Sequence, residues 1–141
     1  MLKWKVHLAL LKAELEPFLG FVHSVQFGKP SLVCDFQELY RYLVDDFIIQ
    51  NYLKLSKKEF ELRNADFSVN KKGKREYLKH QKNELFIKEL NKHFTSYVNV
   101  SRIKVGIKQE IETLINEEAF LFAKYLRGER PAWIPRIAEL K

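Results

Sequence analysis

SLVCDFQELYRYLVDDFIIQNYLKL, residues 31 to 55, decides the fold. Leu32, Phe36, Leu39, Leu43, Phe47 and Ile48 recur at three- and four-residue steps, the period of a helix with one buried stripe. Ser31 follows Pro30 and reads as its N-cap. The spacing therefore predicts one long helix over 31–55. Asp35 and Glu38 stand three positions apart, so both carboxylates leave one face. Both fall in the first two turns, where the helix dipole favours anions.

Immediately upstream lies GFVHSVQFGKP, residues 20 to 30. An apolar entry, Gly20-Phe21-Val22, leads to His23, and Gly28, Lys29 and Pro30 then turn the chain back to the helix. An imidazole facing two carboxylates across a fixed turn is a candidate site for a divalent metal. The mixed nitrogen and oxygen donors suit Mn2+ or Mg2+ better than zinc, and the imidazole leans the choice to manganese. The same residues also read as a satisfied histidine near a helix whose carboxylates are solvated or paired with Arg41 and Lys29.

Further out, helical periodicity continues. Residues 2–15 carry Val6, Leu8, Leu10 and Leu11 on an apolar side, with no N-cap residue before Leu2. Ser56 and Glu59 form a capping box that opens a short helix to Leu62. Phe67-Ser68-Val69 reads as a brief extended segment. A helix over 72–94 carries Tyr77, Leu78, Leu85, Phe86 and Leu90. The last helix, over 101–127, carries Ile107, Ile111, Leu114, Ile115, Phe122 and Leu126, with Gly128 at its C′ position. A tail follows in which Pro131 and Pro135 bracket Trp133. The expectation is an all-α single domain over residues 1–141.

Composition agrees. The 141 residues are 46% hydrophobic and 30% charged, as a globular domain requires. Only 5 Gly and 4 Pro argue against a turn-rich β architecture. Cys34 is the single cysteine, so no internal disulfide exists, and a reducing cytoplasmic setting is expected. Cys34 itself reads as a small core filler. No signal segment and no run of about 18 apolar residues points to a membrane.

The charge balance, 25 Lys and Arg against 18 Asp and Glu, gives +7 and suits a polyanion. Lys71, Lys72, Lys74, Arg75, Lys79 and Lys82 form the densest basic run, readable equally as a phosphate-contacting patch or a solvated helix face. Arg127, Arg130 and Arg136 surround Trp133, which reads either as a base-stacking platform or, more in keeping with its size, as packing for the tail. No P-loop, dinucleotide fingerprint, Cys-x-x-Cys pair or Gly-x-Ser-x-Gly elbow is present, which disfavours nucleotide hydrolysis, zinc fingers and serine hydrolases.

Several words together resemble the C-terminal helical domain of the CRISPR-associated adaptation integrase, the metal-dependent DNA endonuclease that inserts new spacers. They are Ala9-Leu10-Leu11-Lys12-Ala13-Glu14-Leu15-Glu16-Pro17, Gly20-Phe21-Val22-His23-Ser24, Lys29-Pro30-Ser31-Leu32, Asp35-Phe36-Gln37-Glu38, Arg41 and Val44-Asp45. Ser68-Val69-Asn70-Lys71-Lys72-Gly73-Lys74 and the closing Phe122-Ala123-Lys124-Tyr125-Leu126-Arg127-Gly128-Glu129, with Trp133 and Pro135, extend the likeness over nearly the whole chain.

The resemblance implies a metal held by His23 and Glu38, with Asp35 joining or supporting the site and Arg41 as a partner behind it. It implies a third ligand, a glutamate on an earlier helix, and an N-terminal β-domain, neither matched by any residue here. The chain is thus expected to be a fragment that keeps two of three protein ligands. The implied chemistry is phosphodiester transesterification with Mn2+ or Mg2+. The implied partners are DNA (prespacer and CRISPR repeat), a second adaptation protein and a homo-oligomer of the full-length protein. DNA contacts are expected from Lys71, Lys72, Lys74, Arg75, Arg127 and Arg130. A catalytically silent helical DNA-binding module and a protein-interaction module are the rival readings.

Overall fold

The computed structural model describes residues 1–24, 26–53, 55–62, 76–100 and 108–139. Among these, five helices carry the core: α1 (Leu2–Lys12), α2 (Ser31–Glu38), α3 (Arg41–Tyr52), α4 (His80–Phe94) and α5 (Ile111–Leu126). Helix α1 packs against both α5 and α2, and α4 joins α3 to α5. The core is continuous: Leu2, Val6, Ala9 and Leu10 meet Leu32, Val33 and Phe36, and both meet Ile111, Leu114, Ile115 and Phe122.

Helix α1 starts without a side-chain cap, as its sequence suggests. It stops at Lys12 rather than near Leu15 because Glu14 takes a left-handed φ of 60°. The Leu15 N–H then reaches back to the Leu10 carbonyl at 3.0 Å, closing the end as a Schellman-type turn.

The helix expected over 31–55 is two helices. Tyr40, with φ −125° and ψ 1°, leaves the helical region between α2 and α3. Leu39 and Tyr40 donate to Phe36 and Gln37, three residues back, so the last turn is tightened. The break brings Tyr40 fully into the core in place of Leu39, and Tyr42 donates its hydroxyl to the Ala138 carbonyl at 2.6 Å.

Two small antiparallel sheets accompany the helices: β1 (Phe60–Leu62) pairs β2 (Glu76–Leu78), and β3 (Tyr97–Asn99) pairs β4 (Lys108–Glu110). They correct three helix boundaries. The Ser56–Glu59 capping box is formed, but it caps a single 3-10 turn, Lys57–Glu59, that runs into β1. The helix expected over 72–94 begins at His80, after β2, and the one expected over 101–127 begins at Ile111, after β4. The segment Phe67-Ser68-Val69 lies outside the described residues. No described helix is long and apolar enough to cross a membrane.

Candidate functional site

The site is built on the inner face of α2, where Ser31 and Asp35, one helical turn apart, are both buried. The Asp35 side chain has no solvent exposure. Its Oδ2 accepts the backbone N–H of Phe21 at 2.6 Å and of Val22 at 3.0 Å. Its Oδ1 accepts the His23 N–H at 2.9 Å and lies 2.5 Å from His23 Nδ1. An ionised carboxylate offers about four lone-pair positions and no hydrogen, so all of them are used here. Burial alone would raise the Asp35 pKa. The Val22 N–H, the His23 ring and the N–H groups of His23 and Phe21 outweigh it and hold the carboxyl below its ordinary value.

Because Asp35 only accepts, His23 Nδ1 carries the ring hydrogen, which leaves the Nε2 lone pair available. Nε2 has no hydrogen-bond partner among the described residues, and the side chain is 36% exposed. A histidine whose second nitrogen is tied to a carboxylate is the arrangement that orients metal-binding imidazoles.

Gly20 permits this close approach. A Cβ there would lie 2.7 Å from Asp35 Oδ2 and from Ser31 Cβ, and 2.9 Å from the Ser31 carbonyl carbon. Ser31 corrects the sequence reading: Pro30 holds the N-cap position, with no side-chain cap bond. The Ser31 hydroxyl instead donates to the Ser24 carbonyl at 2.9 Å, with the Lys29 carbonyl 3.4 Å away. With Leu32 N–H on the Pro17 carbonyl at 3.0 Å, two turns of α2 grip both ends of the loop. Sequence reasoning named Gly20 only as part of the apolar entry and missed both its close approach to α2 and the second role of Ser31. The available signal was the i, i+4 placement of Ser31 and Asp35 beneath a glycine-led loop.

Glu38 is the last residue of α2, and half of its side chain is exposed. Arg41 Nη1 donates to its Oε1 at 3.3 Å, and Arg41 Nε lies 3.9 Å from Asp45 Oδ2. The break after Glu38 corrects the dipole argument, since this carboxylate sits at the negative end of a two-turn helix. Two donors thus retain capacity for a metal, His23 Nε2 and the Glu38 carboxylate, while Asp35 has none left. Among the described residues no group of three or more His, Cys, Asp or Glu is placed to hold an ion. The donors fit part of an Mn2+ or Mg2+ shell, and the rest must come from water, substrate or another segment.

Of the basic residues, Lys71, Lys72, Lys74 and Arg75 lie outside the described residues. Lys82 pairs with Glu59 at 2.9 Å, Arg127 pairs with Glu129 at 2.5 Å, and Arg130 is exposed. Arg136 is spent on the fold. It donates to Glu117 at 3.0 Å and to Glu118, whose side chain is completely buried. Trp133 donates Nε1 to Glu118 at 3.1 Å and stacks on Phe36 with ring centres 5.5 Å apart. Glu139 N–H on the Asn99 carbonyl at 2.8 Å completes the docking of the tail. Trp133 and Arg136 therefore hold the tail to α5 rather than gripping a nucleic acid.

The chain is similar to known proteins in sequence and fold. Residues 1–83 match the family model described as CRISPR associated protein Cas1. A CRISPR-associated endonuclease Cas1 of Leptospira interrogans is 29% identical over 130 residues, covering 87% of this chain and 45% of the relative. The fold superposes on a chain of a partial Cas6-RT-Cas1–Cas2 complex with a TM-score of 0.75 at 16% identity, over 99% of this chain and 39% of that one. It also superposes on a casposase bound to integration product, with a TM-score of 0.72 at 20% identity, over 93% of this chain and 36% of that one. The chain spans less than half the length of each of these proteins.

Proposed function

The chain belongs to the family of the CRISPR associated protein Cas1, and from that premise we propose that it is the helical, metal-binding part of a DNA endonuclease/integrase of CRISPR spacer acquisition. The observation that carries the proposal is the His23–Asp35 pair, which fixes one ring nitrogen inward and leaves the other as a ligand. His23 and Glu38 hold Mn2+ or Mg2+. Asp35 is a positioning residue that acts through His23, and Arg41 sets the Glu38 carboxylate. The third protein donor is the glutamate that the resemblance implies on an earlier helix.

The reaction is attack of a 3′-hydroxyl of an incoming DNA end on a phosphodiester at a CRISPR repeat boundary. One P–O bond forms as another breaks, and the departing oxygen leaves as a new 3′-hydroxyl. The chemistry that a divalent ion supplies when bound is polarisation of a phosphoryl oxygen and stabilisation of the developing charge. The chain's own part is to hold the Nε2 donor in place against a buried carboxylate and to present a net charge of +7 to the DNA. A second adaptation protein and further copies of the full-length protein complete the assembly.

The test is manganese-dependent cleavage of a branched DNA by this chain and by a version extended to the family's full length, each with and without His23→Ala. The extended protein should cleave in a His23-dependent way, and the short chain should be a poor catalyst. Inactivity of a folded, metal-loaded long protein, or turnover unchanged by His23→Ala, overturns the proposal.

A further inference from the structure

Phe27 is 110% exposed relative to a fully accessible phenylalanine, and among the described residues no ring stacks on it. It stands at the tip of a tight turn. Gln26 and Lys29 form a β-bridge, and the Lys29 N–H bonds the Gln26 carbonyl at 3.0 Å. Gly28 supplies the φ of +71° that the turn requires. Pro30 and the Ser31 hydroxyl on the Ser24 carbonyl hold the loop's two ends to α2. Among the described residues this ring packs on nothing, which leaves both of its faces open to a ligand.

Three observations identify what it meets. Phe27 is four residues from His23, at most about 14 Å of chain, or roughly four nucleotides at 3.4 Å per step along a strand. The segment between Glu16 and Asp35 holds no acidic residue, and Lys29 sits in the turn itself, so the turn's own charge favours an anionic partner. A single exposed ring presents the flat π-face on which any unpaired base stacks. We infer that Phe27 is a base-stacking post for an unpaired nucleotide within a few positions of the phosphate engaged at His23. This rests on the DNA reading of the preceding subsection.

The test measures binding of the 141-residue chain to two labelled duplexes, one blunt and one with a four-nucleotide 3′ overhang carrying 2-aminopurine. The parent should prefer the overhang and quench its fluorescence. Phe27→Ala should lose about ten-fold affinity for the overhang, the value of stacking roughly one base, while blunt-duplex binding stays within about two-fold. Phe27→Trp should restore the preference. Equal overhang affinity of the parent and Phe27→Ala overturns the inference and leaves the DNA reading standing. Unchanged overhang affinity with loss of self-association assigns the ring to a protein contact and equally overturns it. A parent that binds neither duplex removes the DNA reading, and the stacking post with it.

Discussion

Replacing Asp35 with asparagine tests the positioning of His23 at nearly constant shape. The carboxylate accepts four hydrogens, from Phe21, Val22 and His23 backbone N–H and from His23 Nδ1. An amide oxygen accepts two, and its NH2 must then face the other pair of donors. With the oxygen kept on Phe21 and Val22, the ring relieves the clash by moving its hydrogen from Nδ1 to Nε2 and accepting from the amide. The His23 N–H is left without its acceptor. One lost charge-assisted bond and three weakened ones, discounted because the donor residues Phe21, Val22 and His23 are partly exposed, should loosen the loop by about 1–3 kcal/mol. The larger effect is on ligation, because protonated Nε2 has no lone pair. Manganese affinity should fall by about 10- to 100-fold, the usual cost of losing the group behind a metal-binding histidine. Long-range nitrogen–proton NMR reads the tautomer directly, with His23→Gln assigning the signal among four histidines. The parent should show the Nδ1–H form and Asp35→Asn the Nε2–H form. The same tautomer in both proteins, or unchanged manganese affinity, would refute the reasoning.

Gly20→Ala should destabilise the protein by about 1–3 kcal/mol, because the new Cβ meets helix backbone and a buried carboxylate that have no room to yield; a melting temperature equal to the parent's would contradict this. The docked tail should be acid-labile. Burial raises the Glu117 pKa, but Gln109 and Arg136 outweigh it and hold it below the ordinary value. A folded pKa below the unfolded one gives stability that is complete above about pH 4.3 and lost as pH falls through the folded value. Trp133 fluorescence, read in a Trp4→Phe background, should therefore stay native to about pH 5 and change only below the usual carboxylate range. Arg136→Leu should move that change to higher pH, and an unmoved transition would assign the docking to other contacts.

The His23 word was legible because its residue types carry the chemistry, and the structure does bring His23 and Asp35 together. Its inner logic was not, since the three N–H groups that saturate Asp35 belong to the backbone and leave no mark on residue identity. The break at Tyr40 has neither glycine nor proline to announce it, and it is enforced by burial of a ring that a continuous stripe assigned to Leu39. Strands of three residues are too short to show alternation, so Glu76–Leu78 and Lys108–Glu110 were absorbed into neighbouring helical patterns. Nothing in the sequence marks Glu118 as buried. Its partners, Trp133 and Arg136, are 15 and 18 residues away and meet it only after the tail folds back.

Calorimetry of Mn2+ binding to the 141-residue chain, its His23→Ala variant and its Glu38→Ala variant tests the central claim most directly. Two protein donors without a third predict weak, saturable binding in the parent and none in either variant. Equal heats in all three proteins would contradict the account and leave His23 and Asp35 as a structural pair that braces a loop.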